Sequence, residues 1–252
     1  MHMELNIAEI AKMIDHSLLH PTMTEEDLRT GCEVAIQYKT ASVCIKPYAV
    51  KKAAEWLSGS GVPVCTVIGF PHGSHTTEIK VAECRLACEE GATEIDMVVN
   101  IGKVIGGEWD YVVDEIRQIN DEALRHGAIL KVIFENDYLQ DDQKIRLCEI
   151  CSSIPVAFVK TSTGYGYVKG ADGKFSTRGA TLEDVRLMRK HSAPGVEVKA
   201  AGGVRSLDEL LAMKNAGATR IGATATAAII EEAKKRAGMA SAEVKTSEKG
   251  SY

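Results

Sequence analysis

Residues 94–99 (EIDMVV) and 128–134 (AILKVIF) are short, almost continuous apolar runs, and a longer segment of helical periodicity separates them. Runs of this kind are typical of parallel strands that are covered on both faces. The pattern continues in both directions along the chain, at residues 41–45, 62–68, 156–160, 196–199 and 219–222, with a weaker first strand at 13–18 after a short helix at 5–12. Strands that alternate with helices in this way predict a parallel α/β fold.

The length and the helix ends favour a single barrel. Eight strand–helix units fit into residues 1–237, and 252 residues is a typical size for one (β/α)8 (TIM) barrel. Thr24, Thr181 and Ser206 are expected to cap helices, and only Ser206, with Glu209, matches a strict capping box. A doubly wound open sheet is disfavoured because its early glycine-rich phosphate turn is missing. Residues 238–252 are small, polar and charged, so we expect a mobile C-terminal tail.

The composition excludes several classes of protein. The net charge is −5, from 30 basic and 35 acidic residues, which offers no general attraction for nucleic acid or an anionic membrane. Apolar runs long enough to span a membrane are missing. Seven scattered cysteines without a signal peptide predict reduced thiols and a cytoplasmic location. Their spacing, including the pairs at 84/88 and 148/151, does not suggest a metal site.

Four ionisable residues interrupt four successive core strands. Asp96 lies within EIDMVV, Lys131 within ILKVIF, and Lys160 and Lys199 end VAFVK and VEVK. An isolated charge is costly to bury, so these groups must be paired, partly solvated or neutral. Neighbouring barrel strands bring such residues together, and active sites of barrels lie at the carboxyl ends of the strands. The sequence therefore predicts three lysines and one acid at one site.

This combination suits Schiff-base chemistry. An amine attacks a carbonyl only when it is unprotonated, whereas a free lysine has a pKa of roughly 10.4. A second ammonium group nearby, together with desolvation, disfavours the charged form, and Asp96 could then move protons. Mutual structural pairing is the alternative, and for Lys131 it is equally plausible. The residues alone leave the nucleophile open between Lys160, which is followed by hydroxyl groups beginning at Thr161, and Lys199.

The last two predicted strands are followed by an expected anion site. Gly202 and Gly203 follow the seventh strand, and Gly222 and Thr224 lead from the eighth into the final helix. In barrels a phosphate group is usually held here, by loop amides and by a helix N-terminus. We therefore expect a phosphorylated ligand.

With these residues in view, the chain resembles the class I 2-deoxyribose-5-phosphate aldolase family. The likeness runs from about Asp15 to Glu232, and its most specific motifs are EIDMVVNIG (94–102), VKTSTG (159–164) and KAAGGVR (199–205). The resemblance implies a cofactor-free lyase that reversibly cleaves 2-deoxyribose 5-phosphate into glyceraldehyde 3-phosphate and acetaldehyde. Barrels of this type often pair, so a homodimer is expected.

The resemblance also implies individual roles. Lys160 matches the family's Schiff-base lysine, Lys199 the lysine that perturbs it, and Asp96 the proton-relay acid. Asp15 and Cys44 match polar residues of the pocket. Some relatives end in a tyrosine that enters the site and assists proton transfer, and Tyr252 stands at the corresponding end of this chain.

Two departures from the family pattern bear on the substrate. The usual short turn after TSTG is expanded into a long loop at residues 165–174, and Ala225 replaces one of two expected serines at the phosphate turn. The same lysine chemistry on a longer or unphosphorylated sugar is therefore an alternative. A catalytically silent barrel that binds a metabolite is a third hypothesis, and it leaves the costly cluster of charges unexplained.

Overall fold

The structure, a computed structural model, describes residues 5–240. Its strands are β1 (Ile14–Leu18), β2 (Ser42–Ile45), β3 (Val64–Ile68), β4 (Glu94–Val98), β5 (Ile129–Ile133), β6 (Phe158–Lys160), β7 (Val168–Lys169), β8 (Phe175–Ser176), β9 (Glu197–Ala201) and β10 (Arg220–Ala223). Its α-helices are α1 (Ile7–Ala11), α2 (Glu25–Tyr38), α3 (Val50–Trp56), α4 (Thr77–Glu89), α5 (Ile101–Ile105), α6 (Trp109–Arg125), α7 (Asp141–Ser153), α8 (Leu182–His191), α9 (Leu207–Ala216) and α10 (Thr226–Arg236).

The parallel strands close into a barrel. The order around it is β1, β10, β9, β6, β5, β4, β3 and β2, and every pairing is parallel. Strands such as β3 and β4 are buried along their whole length, because the barrel interior covers one face and the helices cover the other. This confirms the predicted (β/α)8 barrel with its short N-terminal helix.

The register of the strands places the charged residues side by side. Asp96 on β4 pairs with Lys131 on β5, and Lys160 on β6 pairs with Lys199 on β9. In a parallel sheet, directly paired residues project to the same face. Strand closure alone therefore gathers side chains that are more than a hundred residues apart in the sequence.

Two local features differ from the sequence-based expectation. The Thr24 cap is also a reciprocal capping box, because the Asp27 carboxylate reaches back to the Thr24 backbone N–H at 2.8 Å. The expanded loop forms a small antiparallel hairpin together with the two residues that follow it, in which Val168 pairs with Ser176 and Lys169 with Phe175. Because the loop is polar and glycine-rich, its sequence does not predict these two short strands.

Two further expectations concern the ends of the chain and its surroundings. The barrel–tail boundary at residues 237 and 238 stays a prediction, since residues 241–252 lie outside the described part of the chain. Within residues 5–240, no helix is both long enough and apolar enough to cross a membrane.

Candidate active site

A pocket of about 520 Å³, including the solvent at its mouth, opens at the carboxyl ends of the barrel strands. Both candidate nucleophiles reach it, since Lys160 is the last residue of β6 and Lys199 lies near the end of β9. The residues that line it are Asp15, Ser17, Leu19, Cys44, Lys160, Thr163, Gly164, Lys199, Ala201, Gly202, Gly203, Val204, Arg205, Gly222, Ala223 and Thr224. The pocket therefore joins the predicted lysine cluster to the predicted anion site.

The lysine cluster is organised around one carboxylate. The Nζ atoms of Lys160 and Lys199 each lie 2.7 Å from Oδ2 of Asp96, and Lys131 donates to Oδ1 at 2.8 Å. All four side chains are at most 3% exposed. Lys160 and Lys199 thus share one oxygen atom and one compartment, as the sequence-based mechanism requires.

A second layer of charges lies next to this cluster. Asp15 accepts hydrogen bonds from Ser42 at 2.7 Å and from Arg220 at 2.6 Å. The Arg220 guanidinium also lies 3.0 Å from Glu94, whose carboxylate is 2.6 Å from the Nζ atom of Lys131. The barrel interior therefore contains a continuous network of four cationic and three acidic side chains within the described residues.

The network biases most of its members towards their charged forms. Burial disfavours the charge of Lys199, but the carboxylates of Asp15 and Asp96 outweigh burial and raise the pKa of Lys199. The same balance, with Asp15 and Asp96 again outweighing burial, raises the pKa of Lys131 well above its usual value. Burial opposes the charge of Asp96 too, yet Lys131, Lys160 and Lys199 hold its pKa well below the usual range.

The three lysines differ in how many acids they contact. In the part of the chain that the structure describes, Lys131 lies within 4.0 Å of Asp15, Glu94 and Asp96, and Lys199 of Asp15 and Asp96. Lys160 contacts Asp96, through the oxygen atom that Lys199 also uses. Of the lysines that line the pocket, Lys160 therefore has the fewest acidic partners.

Another part of the pocket lining is glycine-rich backbone. Gly202 and Gly203 both have φ +88°, a conformation that favours glycine. A Cβ atom at Gly222 would lie 3.1 Å from Cβ of Ala201 and 3.6 Å from Cε of Lys199, so glycine leaves room for the lysine. Helix α10 begins after Ala225, whose side chain cannot cap it, and its first N–H groups are therefore suited to an anion.

The structure brings most of the predicted site residues together. Asp96 and Lys131 are fully buried behind the lining, and Thr161 exchanges two 3.1 Å hydrogen bonds with the backbone of Ala201, which joins β6 to β9. Tyr252 lies outside the described residues. The predicted residues that line the pocket are Asp15, Cys44, Lys160, Lys199, Gly202, Gly203, Gly222 and Thr224.

Sequence reasoning missed several members of the site. Arg205 lines the pocket beside the glycine turn, and its signal was its place at the end of the KAAGGVR motif. Ser17 also lines the pocket, and so does Thr163, one of the hydroxyl-bearing residues expected after Lys160. Glu94 and Arg220 are the first residues of their strands. From sequence alone, a charged residue at that position does not indicate that barrel closure will bury it.

A possible set of metal ligands overlaps the cluster. Donor atoms of Cys44, Cys65 and Asp96 lie within 4.8 Å of one another. The Nζ atom of Lys131, however, is 3.2 Å from Sγ of Cys65 and 2.8 Å from Asp96. A lysine ammonium already neutralises these donors, and a divalent cation added there would meet strong repulsion. The donor set therefore fits a lysine better than a metal ion.

A closed barrel with buried lysines and an acid at its carboxyl-terminal mouth defines an enzyme that can act through an amine. Residues 9–242 match the model of the DeoC/LacD family aldolases, and the chain belongs to that family. It is therefore an aldolase, a lyase that makes and breaks carbon–carbon bonds.

Individual relatives agree over almost the whole chain. A protein from Rhodopirellula baltica named deoxyribose-phosphate aldolase is 52% identical, and the match covers 97% of each chain. A protein of the same name from Caldanaerobacter subterraneus is 49% identical over 92% of this chain and 97% of its own length. A solved structure described as tetrameric deoxyribose phosphate aldolase from Aeropyrum pernix has a TM-score of 0.81 at 32% identity, covering 91% of this chain and 92% of that one.

Proposed function

We propose that the protein catalyses the reversible aldol cleavage of 2-deoxy-D-ribose 5-phosphate to D-glyceraldehyde 3-phosphate and acetaldehyde. The observation that carries the proposal is the arrangement of Lys160 and Lys199 on one oxygen atom of Asp96 at the wall of a pocket. Relatives named for this activity match almost the full length of the chain. The fold, the site and the relatives support the same reaction.

Lys160 is the proposed nucleophile. Its neutral amine attacks the C1 carbonyl of the open-chain sugar, and protonation of the carbinolamine hydroxyl followed by loss of water gives an iminium ion. Removal of the proton from the C3 hydroxyl then breaks the C2–C3 bond. The electron pair moves towards the iminium nitrogen, which gives an enamine and free glyceraldehyde 3-phosphate. Protonation of the enamine at C2 and hydrolysis release acetaldehyde and restore the amine.

Asp96 is the proposed proton carrier, and Lys199 is the proposed cation beside the nucleophile. The Nζ atoms of Lys160 and Lys199 each lie 2.7 Å from Oδ2 of Asp96, so this carboxylate contacts the nitrogen on which the carbinolamine and the enamine form. The raised pKa of Lys199 keeps it cationic, so a positive charge lies beside the amine of Lys160 during the reaction. Asp15 and Lys131 hold the pair in position through the buried network.

The phosphate group is proposed to bind at the glycine turn. Gly202, Gly203, Gly222 and Thr224 supply backbone amides and a hydroxyl group there, next to the N-terminus of α10. Arg205 adds a positive charge at the same end of the pocket. Cys44, which also lines the pocket, packs with Leu19 and Cys65 and offers an apolar surface to the small aldehyde.

Borohydride reduction in the presence of acetaldehyde, followed by peptide mass mapping, tests the covalent step. We expect an N-ethyl group on Lys160. An adduct on Lys199 would reverse the two lysine roles, and a protein without an adduct on either lysine would be a silent barrel. Cleavage rates with deoxyribose 5-phosphate and with deoxyribose then test the substrate, since equal rates on both would favour the alternative of an unphosphorylated sugar.

We also propose a homodimer and a cytoplasmic location. All seven cysteines lie in the described part of the chain as free thiols, which suits a reducing compartment. Light scattering of the purified protein tests the dimer, and a tetrameric mass, like the assembly described for the Aeropyrum pernix protein, would replace it.

A further inference from the structure

A short segment at the carboxyl end of β5, the barrel strand next to β6, holds the base of the hairpin formed by residues 165–177. This anchor segment, residues 135–138, follows β5 and reads ENDY. Three of its four side chains hydrogen-bond to the residues at which the hairpin begins and ends. The expanded loop is therefore built into the mouth of the barrel, and its base has a defined position.

Asp137 holds the returning leg of the hairpin. Its Oδ2 atom accepts hydrogen bonds from the backbone N–H of Arg178 at 2.7 Å and from the Thr177 hydroxyl at 3.1 Å, and Gly179 N lies 3.4 Å away. Its side chain is 1% exposed. Several donors converge on one buried carboxylate, so this leg depends on Asp137 for its course.

Glu135 and Tyr138 hold the outgoing leg. The Glu135 carboxylate accepts hydrogen bonds from the backbone N–H and the hydroxyl group of Thr163. Glu135 itself has φ +60°, a conformation that costs free energy for a residue with a side chain. The Tyr138 hydroxyl accepts from Tyr167 N at 3.0 Å. The surrounding structure thus maintains a strained residue at the root of the hairpin.

The chain segments just before and just after the hairpin both contact the glycine turn of the pocket. Ala180 N donates to Gly202 O at 3.0 Å, and a Cβ atom at Gly179 would lie 2.5 Å from that oxygen. The Cβ position of Gly202 lies 3.0 Å from Cα of Gly179 and 3.7 Å from Cα of Gly164. The backbone of Gly202 is therefore packed against two chain segments that the anchor segment holds.

We propose that Asp137 is a positioning residue for the anionic end of the substrate, because it fixes residues 177–179 against the Gly202–Gly203 turn. The inference rests on the proposed function. It assigns the positioning of the phosphate-binding backbone to a residue outside the pocket lining. A turn of two glycines is flexible by itself, and backbone amides bind a phosphate group tightly only when they are held in place before binding. Asp137 supplies that restraint through one intervening chain segment.

Kinetics with two sugars separate positioning from general damage. Asp137→Ala, Asp137→Asn and the matched control Asp172→Ala are compared in the full-length protein. Asp172 also accepts a hydrogen bond from a backbone N–H of the hairpin, that of Lys174 at 3.0 Å, but Asp172 lies at the exposed tip. The assays are steady-state cleavage of deoxyribose 5-phosphate and of deoxyribose, and calorimetric titration with inorganic phosphate.

For Asp137→Ala we expect KM for deoxyribose 5-phosphate and Kd for inorganic phosphate to rise about tenfold, as for the loss of a charge-assisted hydrogen bond. The value of kcat/KM for deoxyribose should stay within about twofold. Asp137→Asn should lie between Asp137→Ala and the wild type, since its amide oxygen still accepts hydrogen bonds. Asp172→Ala should match the wild type in every measurement.

The inference is overturned if Asp137→Ala matches Asp172→Ala, if both sugars lose activity equally, or if the wild type does not bind phosphate. Should Asp137→Ala fail to fold, Asp137→Asn decides by the same split between the two sugars. A wild type that cleaves neither sugar but binds phosphate would refute the proposed function. The ratio of phosphate Kd values between variant and wild type would then still decide the role of Asp137.

Discussion

Replacing Lys199 by methionine removes one cation from the cluster and keeps most of the side-chain volume. In the wild type, the carboxylates of Asp15 and Asp96 keep Lys199 charged, because they raise its pKa. In Lys199→Met, Asp15 keeps its hydrogen bond to Arg220, and Asp96 keeps Lys131. Lys160 then becomes the lysine that occupies Oδ2 of Asp96 without a competitor.

The size of the effect follows from the geometry. Each nitrogen atom lies 2.7 Å from the same oxygen atom, so Lys160 and Lys199 are at most twice that distance apart. Two unit charges at that separation repel each other by about 3 kcal/mol at an effective dielectric constant of about 20. Each 1.4 kcal/mol is a factor of about ten in an equilibrium, so this repulsion corresponds to roughly a hundredfold. We therefore expect imine formation in Lys199→Met to be slower than in the wild type by up to about a hundredfold at neutral pH, with a deficit that shrinks as the pH rises.

The assay is the rate of borohydride trapping with acetaldehyde, measured over a pH series. Imine formation needs a neutral amine but no carbon–carbon bond cleavage, so it isolates the charge effect from later proton transfers. Lys144→Met is the matched control, since Lys144 is a buried lysine paired with Asp184 at 2.6 Å on the helices outside the barrel. Its profile should coincide with that of the wild type.

Two results would refute the reasoning. A pH profile of Lys199→Met that coincides with that of the wild type would mean that Lys199 does not influence the charge of Lys160. A loss of trapping by the same factor at every pH would assign Lys199 a direct role in imine formation in place of an electrostatic one.

Three further predictions address other parts of the molecule. Lys160→Met should abolish turnover and the N-ethyl adduct with an undiminished melting temperature, since Asp96 keeps Lys131 and Lys199 as partners; an adduct that persists would refute this. Burial lowers the pKa of His16 to about 4, so the wild type should lose about 3 kcal/mol of stability between about pH 6.5 and pH 4, as the unfolded chain takes up a proton first. In His16→Asn, the stability measured by urea unfolding should not show this part of the loss. Parallel curves of stability against pH for the two proteins would contradict the prediction. Deletion of Tyr252 should slow proton exchange at the donor carbon of acetaldehyde, measured by deuterium incorporation, and an unaltered rate would remove the tail from the mechanism.

The barrel could be predicted because its strands differ so clearly from its helices in apolar pattern. The expected strand at 94–99 is found at Glu94–Val98, and the one at 128–134 at Ile129–Ile133. The hairpin could not be predicted, because two strands of two residues each leave no detectable alternation. Its pairing is stabilised by tertiary contacts at its base, including the bond between Tyr138 and Tyr167.

The candidate site was predictable where charge conflicts with burial inside a strand. Asp96, Lys131, Lys160 and Lys199 stand out for that reason alone. Asp137 has no comparable signal, since an acidic residue in a polar segment after a strand is ordinary. Its contacts join residues 40 positions apart and exist only after the loops have folded against each other.

Charge balance gives an independent reason for the choice of Lys160 as nucleophile. Within the described residues, the network contains four cationic side chains (Lys131, Lys160, Lys199 and Arg220) and three acids (Asp15, Glu94 and Asp96). A net buried charge is costly, and a neutral lysine removes it. Among the three lysines of the network, Lys160 has the fewest acidic contacts, and it lines the pocket. Charge balance therefore supports the proposed assignment of Lys160 as the nucleophile.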